Sequence, residues 1–555
     1  MNKFTLEIIQ NTLVAIGDEM FIALQKTSMS PIIYESLDYA VGLTDEHGVL
    51  LAQGNGVTMF LACLDAVVVS TIEKYGIEGI QDGDVFIANT PYAGGGTHLS
   101  DVSVIMPIFY ERQLVAFTVN KAHWTELGGT YPGSVSTVAT EIYQEGMHFP
   151  FVRIKKKGII NEDIIEIIKA NVRLPESTIG DLYAGIAAVN VGASRVIDLI
   201  KKYGIKTFKK AKEDLLDYGE KMSLEALKSL PPLDLSGTSV IEDDGSGNGP
   251  FPLKVKIKSS PNKICIDFSE SHPQLKGPLN LSYPGLVSGI RSLFIAITTS
   301  NVPVNGGAFR ALEVICKPGT LVSAQSPAAC SIYYETMITS IDLVWRLLSE
   351  EIPGFLPAGH FRSICATFIS GVHPKTNEYY IQAEPLAGGW GAAFDHDGNR
   401  GQLSCGSGES YNIPIEIREM KYGLLVEQLT FHNKTGGYGE FQGGNGQLLD
   451  FRILSEEAHL TAAFLGAKVK TWGVHGGTDG TYNYVEVIRK DGTVEKHSLV
   501  TNLRLEKGDI VRCITATGGG YGDPKNRSKE KIVADIKNGY ITEAQAKKAY
   551  GQNSL

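Results

Sequence analysis

The hydrophobic period of this chain changes to helical at Asn161. From there to the Pro231-Pro232 break it is helical, through Ile164 to Ala170, Leu182 to Tyr203 closed by Gly204, and Phe208 to Leu230. Before Asn161 two pairs of short apolar, β-branched runs each flank a polar turn, which is the pattern of hairpins. Strands and helices thus fill separate stretches, and the expected fold is α+β, multi-domain, with mixed sheets and helices and a β-rich C-terminal part.

The first 30 residues open this pattern with Leu6, Ile9, Leu13, Ile16, Met20 and Leu24, spaced by three or four, one face of an amphipathic helix. It should pack on a sheet. One hairpin runs from Tyr39 to Thr44, turns at Asp45 to Gly48 and returns from Val49 to Ala52; a second runs from Val102 to Phe109 and back from Leu114 to Asn120 around Tyr110-Glu111-Arg112-Gln113. In the helix Leu182 to Tyr203 the residues Ala184, Gly185, Ala187, Ala188, Gly192 and Ala193 leave little bulk, so it should approach a neighbouring backbone closely.

The 555 residues are too many for one core. The segment Asp234 to Pro252, rich in Asp, Gly and Ser, reads as a linker or long loop. Beyond it, Leu253 to Phe268 reads as strands, Pro284 to Thr299 and Tyr333 to Ser349 as helices, Gly388 to Gly408 as glycine-rich loop, and Leu424 to Thr517 as short strands of a sandwich or barrel. Ser528 to Asn538 and Thr542 to Tyr550 read as a helical hairpin about Gly539. The expected division is an N-terminal α+β domain 1–233, a central α/β domain 253–423, a β-rich domain 424–525 and a helical tail 526–555.

Composition narrows the partners. A net charge of −10 argues against nucleic acid or an anionic membrane. No apolar run reaches the length of a spanning helix, Met1 to Gln10 lacks the marks of a secretory signal, and a cytoplasmic location is expected. The seven cysteines are scattered without a CxxC pair, which disfavours disulfides and a cysteine zinc site. Glycine is the outlier, at 61 residues where an average chain of this length would hold roughly 40.

Chemistry concentrates at the open end of the second hairpin. With the turn centred between Glu111 and Arg112, residues whose numbers sum to 223 face one another, so Asp101 should lie opposite Ala122 and beside His123. His98, Asp101 and His123 can then gather, and two imidazoles with a carboxylate suit a divalent ion such as zinc, manganese or iron. Asp38, at the open end of the first hairpin, is a candidate fourth ligand, though such a residue also caps turns. Gly94, Gly95 and Gly96 allow close approach of a substrate to the backbone. The plain alternative is a set of loop residues satisfied by backbone hydrogen bonds.

Other motifs fall short. There is no P-loop; Gly245-x-Gly247-x-Gly249 does not follow a strand; Ser404-Cys405-Gly406-Ser407-Gly408 lacks the nucleophile-elbow spacing. Asp395-His396-Asp397-Gly398 is explained as a turn, and Glu416 with Glu419 as a solvated or paired face.

Several stretches together resemble the hydantoinase B/oxoprolinase family. They are Asn89 to Asp101 (NTPYAGGGTHLSD), Ala122 to Gly129 (AHWTELGG), Pro132-Gly-Ser134, Ser36-Leu-Asp-Tyr39, Gln144-Glu-Gly146, Gly180-Asp-Leu182 and Gly518 to Pro524 (GGGYGDP). The resemblance implies a two-subunit enzyme in a hetero-oligomer. A hydantoinase A-like ATPase partner consumes ATP to activate a small cyclic amide, and the B subunit completes ring opening. In related acetone carboxylases the positions matching His98, Asp101 and His123 hold a metal, and the same role is implied here, with Asp38 carried over less directly. Glu126 is the candidate general base, its alternative being a cap on the adjacent Gly-Gly turn. Trp124 and Glu126 stand where many members have His and Asp, and Phe60-Leu-Ala62 where His-Leu-Gly is common, changes that bear on the substrate pocket. An ATP-dependent ketone carboxylase subunit and a non-catalytic scaffold for the ATPase are the competing readings.

Overall fold

The computed structural model describes residues 2–551 except 62, 95, 96 and 433–435. The chain divides into two compact units, Met1–Ser236 with Lys254–Tyr333 and Gly406–Tyr411, and Gly237–Leu253 with Tyr334–Cys405 and Asn412–Leu555. Helices, mixed sheets and antiparallel sheets occur together, as an α+β chain requires.

The first unit is organised by a seven-stranded sheet. Its strands are β1 (Tyr39–Asp45), β2 (Leu50–Gly56), β3 (Val85–Ala88), β4 (Asp101–Tyr110), β5 (Gln113–His123), β6 (Val152–Lys156) and β7 (Ile159–Ile160), in the order β2-β1-β5-β4-β3-β6-β7. The helix Lys3–Thr27 buries Ile9, Leu13, Ile16, Met20 and Leu24, the face its spacing predicted. Gly17 lets it reach β2: a Cβ there would come within 2.7 Å of the Gly54 nitrogen. The helix Pro175–Tyr203 packs beside it and on β4 and β5, where Gly185 meets Val104 and Asn120, and Gly192 meets Met20 and Thr118. The small residues thus receive sheet and helix side chains, and Asn120 donates to the Gly185 carbonyl at 2.8 Å. Pro175–Tyr203 is long and apolar enough to cross a membrane, but most of its apolar window is buried inside the protein.

Strand alternation sends Asn120 and Thr118 toward that helix and leaves Lys121 and His123 on the opposite face. There the helix Leu64–Tyr75 covers β1 and β5. The candidate site lies on this second face.

The stretch read as a linker is partly regular: Asp234–Ile241 is a strand, the edge of a four-stranded sheet with Phe251–Ser260, Lys263–Asp267 and Leu312–Ile315. Its apolar and β-branched residues are diluted by Ser and Gly, which hid the strand. Only the turn after it is loop, where Asp243 and Asp244 accept backbone N–H groups of Gly245, Ser246, Gly247 and Asn248.

In the second unit two antiparallel sheets share one apolar core. Ala366–Val372 and Tyr379–Glu384 pair in a sheet with Glu457–Ala463 and Leu499–Glu506, so stretches from before and after Leu424 form one layer. The other layer has Leu424–Phe431, Gln447–Ile453, Ile510–Ile514, Tyr484–Ile488 and Val494–His497. Ile369 and Leu460 from one meet Phe451, Val487 and Val511 from the other. The tail forms the helices Lys529–Lys537 and Glu543–Tyr550, closed by Ile532, Ile541 and Ala546.

Much of the glycine excess serves backbone-on-backbone packing in this unit. The segment Gly518-Gly519-Gly520 threads between loops: Gly518 N–H donates to Gly444, Gly519 to Gly359 and Gly520 to Thr478, while Ala392 N–H donates to Gly519. A Cβ on Gly518 would sit 1.9 Å from the Trp390 carbonyl oxygen, and one on Gly519 1.8 Å from that of Trp472. No other residue type fits there.

Candidate metal centre

The β4–β5 hairpin turns through Glu111 and Arg112, both in left-handed backbone conformations, and begins as expected with Tyr110 facing Gln113. A β-bulge then intervenes. Phe109 faces Leu114 but Ile108 faces Ala116, leaving Val115 unpaired and advancing the register by one. Asp101 therefore faces His123 itself rather than Ala122. Facing residues project from the same side of a sheet, so their side chains meet.

His98 joins from the loop before β4. That loop is pinned by Asn89, whose side-chain amide donates to the carbonyls of Leu99 and Met147 and accepts from Phe149 N–H at 2.7 Å. The result is a buried triangle: His98 Nε2 to Asp101 Oδ1 is 3.0 Å, His98 Nε2 to His123 Nδ1 3.2 Å, and His123 Nδ1 to Asp101 Oδ1 3.3 Å. Ligand atoms bound about 2.0–2.2 Å from one cation stand roughly 3.0–3.5 Å apart, so these three fit one face of a coordination sphere. Among the described residues this is the cluster of His, Cys, Asp and Glu that can hold a metal.

The hydrogen bonds around the triangle sharpen the argument. His98 Nδ1 lies 2.8 Å from the Ser331 carbonyl oxygen, which only accepts, so Nδ1 carries a proton. In the neutral ring Nε2 is then an acceptor, and it faces an acceptor, Asp101 Oδ1. Such a contact requires a second proton on His98 or a cation at the centre. Asp101 Oδ2 is held apart by Thr97 Oγ1 and by Tyr333 OH at 3.0 Å, which leaves Oδ1 directed at the histidines. Burial alone would raise the Asp101 pKa, but His98 and His123 hold it well below the usual carboxylate range. For His98 burial opposes protonation, and the Asp101 charge and the Ser331 carbonyl outweigh it and raise the pKa.

Asp38 sits close by without entering the triangle. Its backbone carbonyl accepts from His123 N–H at 3.0 Å, while its carboxylate is outside the cluster. Burial pushes that carboxyl up to about 6 against the pull of His123, with Asp101 adding repulsion. Gly94 adopts a left-handed conformation at the end of the turn Pro91–Ala93; Gly95 and Gly96 lie outside the described residues. Glu126 takes the capping arrangement: its buried carboxylate accepts from Gly128 N–H and pairs with Arg173 Nη1 at 3.0 Å, and Ser134 Oγ, 3.3 Å away, also binds the N–H groups of Leu127 and Gly129. A carboxylate so committed to Gly128, Ser134 and Arg173 is poorly placed to take a substrate proton.

Three contributors escaped sequence reading, Thr97, Ser331 and Tyr333. Thr97 lies within the stretch Asn89 to Asp101, but Ser331 and Tyr333 come from more than 200 positions away in the chain, and no local pattern marks them. The motifs set aside stay outside the site: His396 is exposed and paired with Asp395, Asp397 pairs with Arg527, and Glu419 accepts from Val426 N–H.

Fold and site together define a class, α+β proteins that carry a buried cluster of two histidines and a carboxylate at the end of a sheet hairpin. The chain belongs to the hydantoinase B/oxoprolinase family, whose pattern matches residues 2–524. It is 33% identical to an uncharacterised protein of Methanocaldococcus jannaschii, over 99% of this chain and 96% of that one. It is 30% identical to the caprolactamase subunit beta of Pseudomonas jessenii, over 99% and 96% of the two chains. The crystal structure of the ATP-dependent caprolactamase from that organism superposes with a TM-score of 0.92 at 28% identity, covering 99% of this chain and 96% of that chain. A nucleotide-free acetone carboxylase shares the fold at 18% identity, with a TM-score of 0.90 over 99% of this chain and 79% of that chain.

Proposed function

We propose that this protein is the B-type subunit of an ATP-dependent cyclic-amide hydrolase, and that His98, Asp101 and His123 hold a divalent metal ion. The observation that carries the reading is the triangle of 3.0, 3.2 and 3.3 Å, in which His98 Nε2, His123 Nδ1 and Asp101 Oδ1 converge at the spacing of ligands on one face of a coordination sphere. Family membership and the caprolactamase relative supply the reaction class, opening of a hydantoin-, lactam- or oxoproline-like ring.

A bound ion would act as a Lewis acid on the ring carbonyl or on a water molecule. The chain's own residues do the positioning. Ser331 fixes the His98 tautomer, Tyr333 and Thr97 aim Asp101, and the β-bulge brings His123 across from it. Asp38 adds a carboxylate beside the cluster. Glu126 shapes the Gly128-Gly129 turn by accepting from Gly128 N–H and pairing with Arg173, a structural role rather than that of a base. Two histidines and one carboxylate accept zinc, manganese or iron. ATP is used by a hydantoinase A-like partner in a cytoplasmic hetero-oligomer, since this sequence has no nucleotide motif of its own.

The test is elemental analysis of the purified chain beside His98→Ala and His123→Ala, followed by ATP-dependent turnover of cyclic amides with the partner subunit. About one transition-metal ion per chain, lost in both folded variants together with turnover, is the expected result. A metal-free wild type after supply of zinc, manganese and iron, or turnover untouched by His98→Ala, would leave the scaffold reading in its place. Product formation that depends on bicarbonate would make it a carboxylase.

A further inference from the structure

We propose that Glu145 is a positioning residue of the metal centre, acting through the backbone of Cys330 and Ser331 to hold His98 in its ligating tautomer. The proposal rests on the metal reading above and extends it to a residue outside the triangle. Glu145 Oε1 accepts from Cys330 N–H at 2.7 Å and Ser331 N–H at 2.8 Å. The Ser331 carbonyl then accepts from His98 Nδ1 at 2.8 Å. One carboxylate oxygen thus fixes the two successive peptide groups that lead into the Ser331 carbonyl facing His98 Nδ1.

The surroundings make Glu145 the anchor of this loop. Its own backbone is set by the short turn Ile142–Gln144, closed by a reciprocal Glu141–Gln144 capping box, and Ile142 N–H donates to Pro327 at 2.9 Å. The Gln144 carbonyl accepts from Thr130 N–H at 2.8 Å, tying the same turn to the Gly128-Gly129 segment. On the far side Ser331 Oγ donates to the Ser136 carbonyl at 2.7 Å. Glu145-Gly146 therefore sits where the loop after His123 and the loop before Tyr333 meet.

Glu145 is also costly to keep. It is buried, and its Oε2 has no hydrogen-bond partner among the described residues. A buried carboxyl with an unmatched oxygen is unfavourable unless the geometry it imposes is needed. Partners that orient metal-ligating histidines commonly account for about 10–100-fold in metal affinity, which supplies the need.

The test uses cobalt(II) alone as the probe, titrated into the metal-free full chain and followed by its visible absorption and by chelator competition. Wild type is compared with Glu145→Gln, Glu145→Asp and Glu145→Ala, with far-ultraviolet circular dichroism on each. Gln retains an oxygen that accepts both N–H groups, so its Kd should stay within about threefold of wild type with unchanged bands. Asp is too short to reach both, and Asp and Ala should bind about 10–100-fold more weakly with shifted bands. If Glu145→Ala does not fold, the Gln and Asp pair decides. Equal Kd values and spectra across the folded variants, despite lower melting temperatures, would reduce Glu145 to a structural staple and overturn the proposal; so would a Gln variant as weak as Asp. Wild type that binds no cobalt removes the metal reading and this proposal with it, whereas binding lost in His98→Ala but unchanged in the Glu145 series removes this proposal alone.

Discussion

Asp101 stands directly across the β4–β5 ladder from His123, Asp101 Oδ1 3.3 Å from His123 Nδ1, because Val115 bulges out of β5 and shifts the register that ends in this pair. The bulge converts a near miss into a facing pair.

Asp101→Asn keeps the shape of the side chain and its contacts with Thr97 and Tyr333 but removes the charge that faces two imidazoles. Metal affinity, measured by competition with a chelator, should fall by more than about 100-fold. Tyr333→Phe removes only the phenol donor on Oδ2 and should cost nearer 10-fold. An Asn variant that binds as tightly as wild type would mean that Asp101 is no ligand.

Glu126→Gln separates a cap from a base. The cap role predicts a loss of about 1–3 kcal/mol in urea unfolding, below the figure for a fully buried pair because Arg173 is partly exposed. Turnover of the folded variant should stay within about tenfold. Loss of about 100-fold or more in kcat, with stability unchanged, would restore Glu126 as a general base.

Two buried groups in the second unit set opposite limbs of a stability profile. Burial, helped by Arg362, pushes His360 from 6.5 down to about 3, so between those values the unfolded chain binds a proton that the native state refuses. Stability falls as pH drops through that window. Burial raises Glu335 from 4.5 to about 8, so the native state keeps a proton the unfolded chain releases, and stability falls as pH rises from 4.5 to 8. The two slopes oppose each other between 4.5 and 6.5, where this unit should be most stable. His360→Phe should flatten the acid limb and Glu335→Gln the alkaline limb in denaturant titrations at stepped pH; unchanged limbs would exclude these groups as the cause.

Gly518→Ala tests the threaded glycine segment. Its Cβ would collide with the Trp390 carbonyl, and the expected cost is at least about 1–3 kcal/mol, read as a lowered midpoint of unfolding or loss of soluble protein. Gly79→Ala, whose Cβ would find its nearest neighbour at 3.7 Å, serves as the tolerated control. Equal stability of the two variants would contradict the packing described.

The sequence by itself determined the local elements and the candidates. Spacing of Ile9, Leu13, Ile16, Met20 and Leu24 marks a helix face, and turn residues between β-branched runs mark both hairpins, because these signals come from neighbours within one or two turns of chain. His98, Asp101 and His123 were legible for the same reason, being tied to one hairpin. Tertiary structure alone decided the rest. The bulge at Val115 set the register, the Ser331 carbonyl and the Tyr333 phenol arrived from more than 200 residues away, and Arg173 claimed Glu126. Ala366–Val372 found its partner in Glu457–Ala463. Such pairings are chosen by what each surface can bury and which hydrogen bonds it can satisfy across the fold, and periodicity along the chain does not record them.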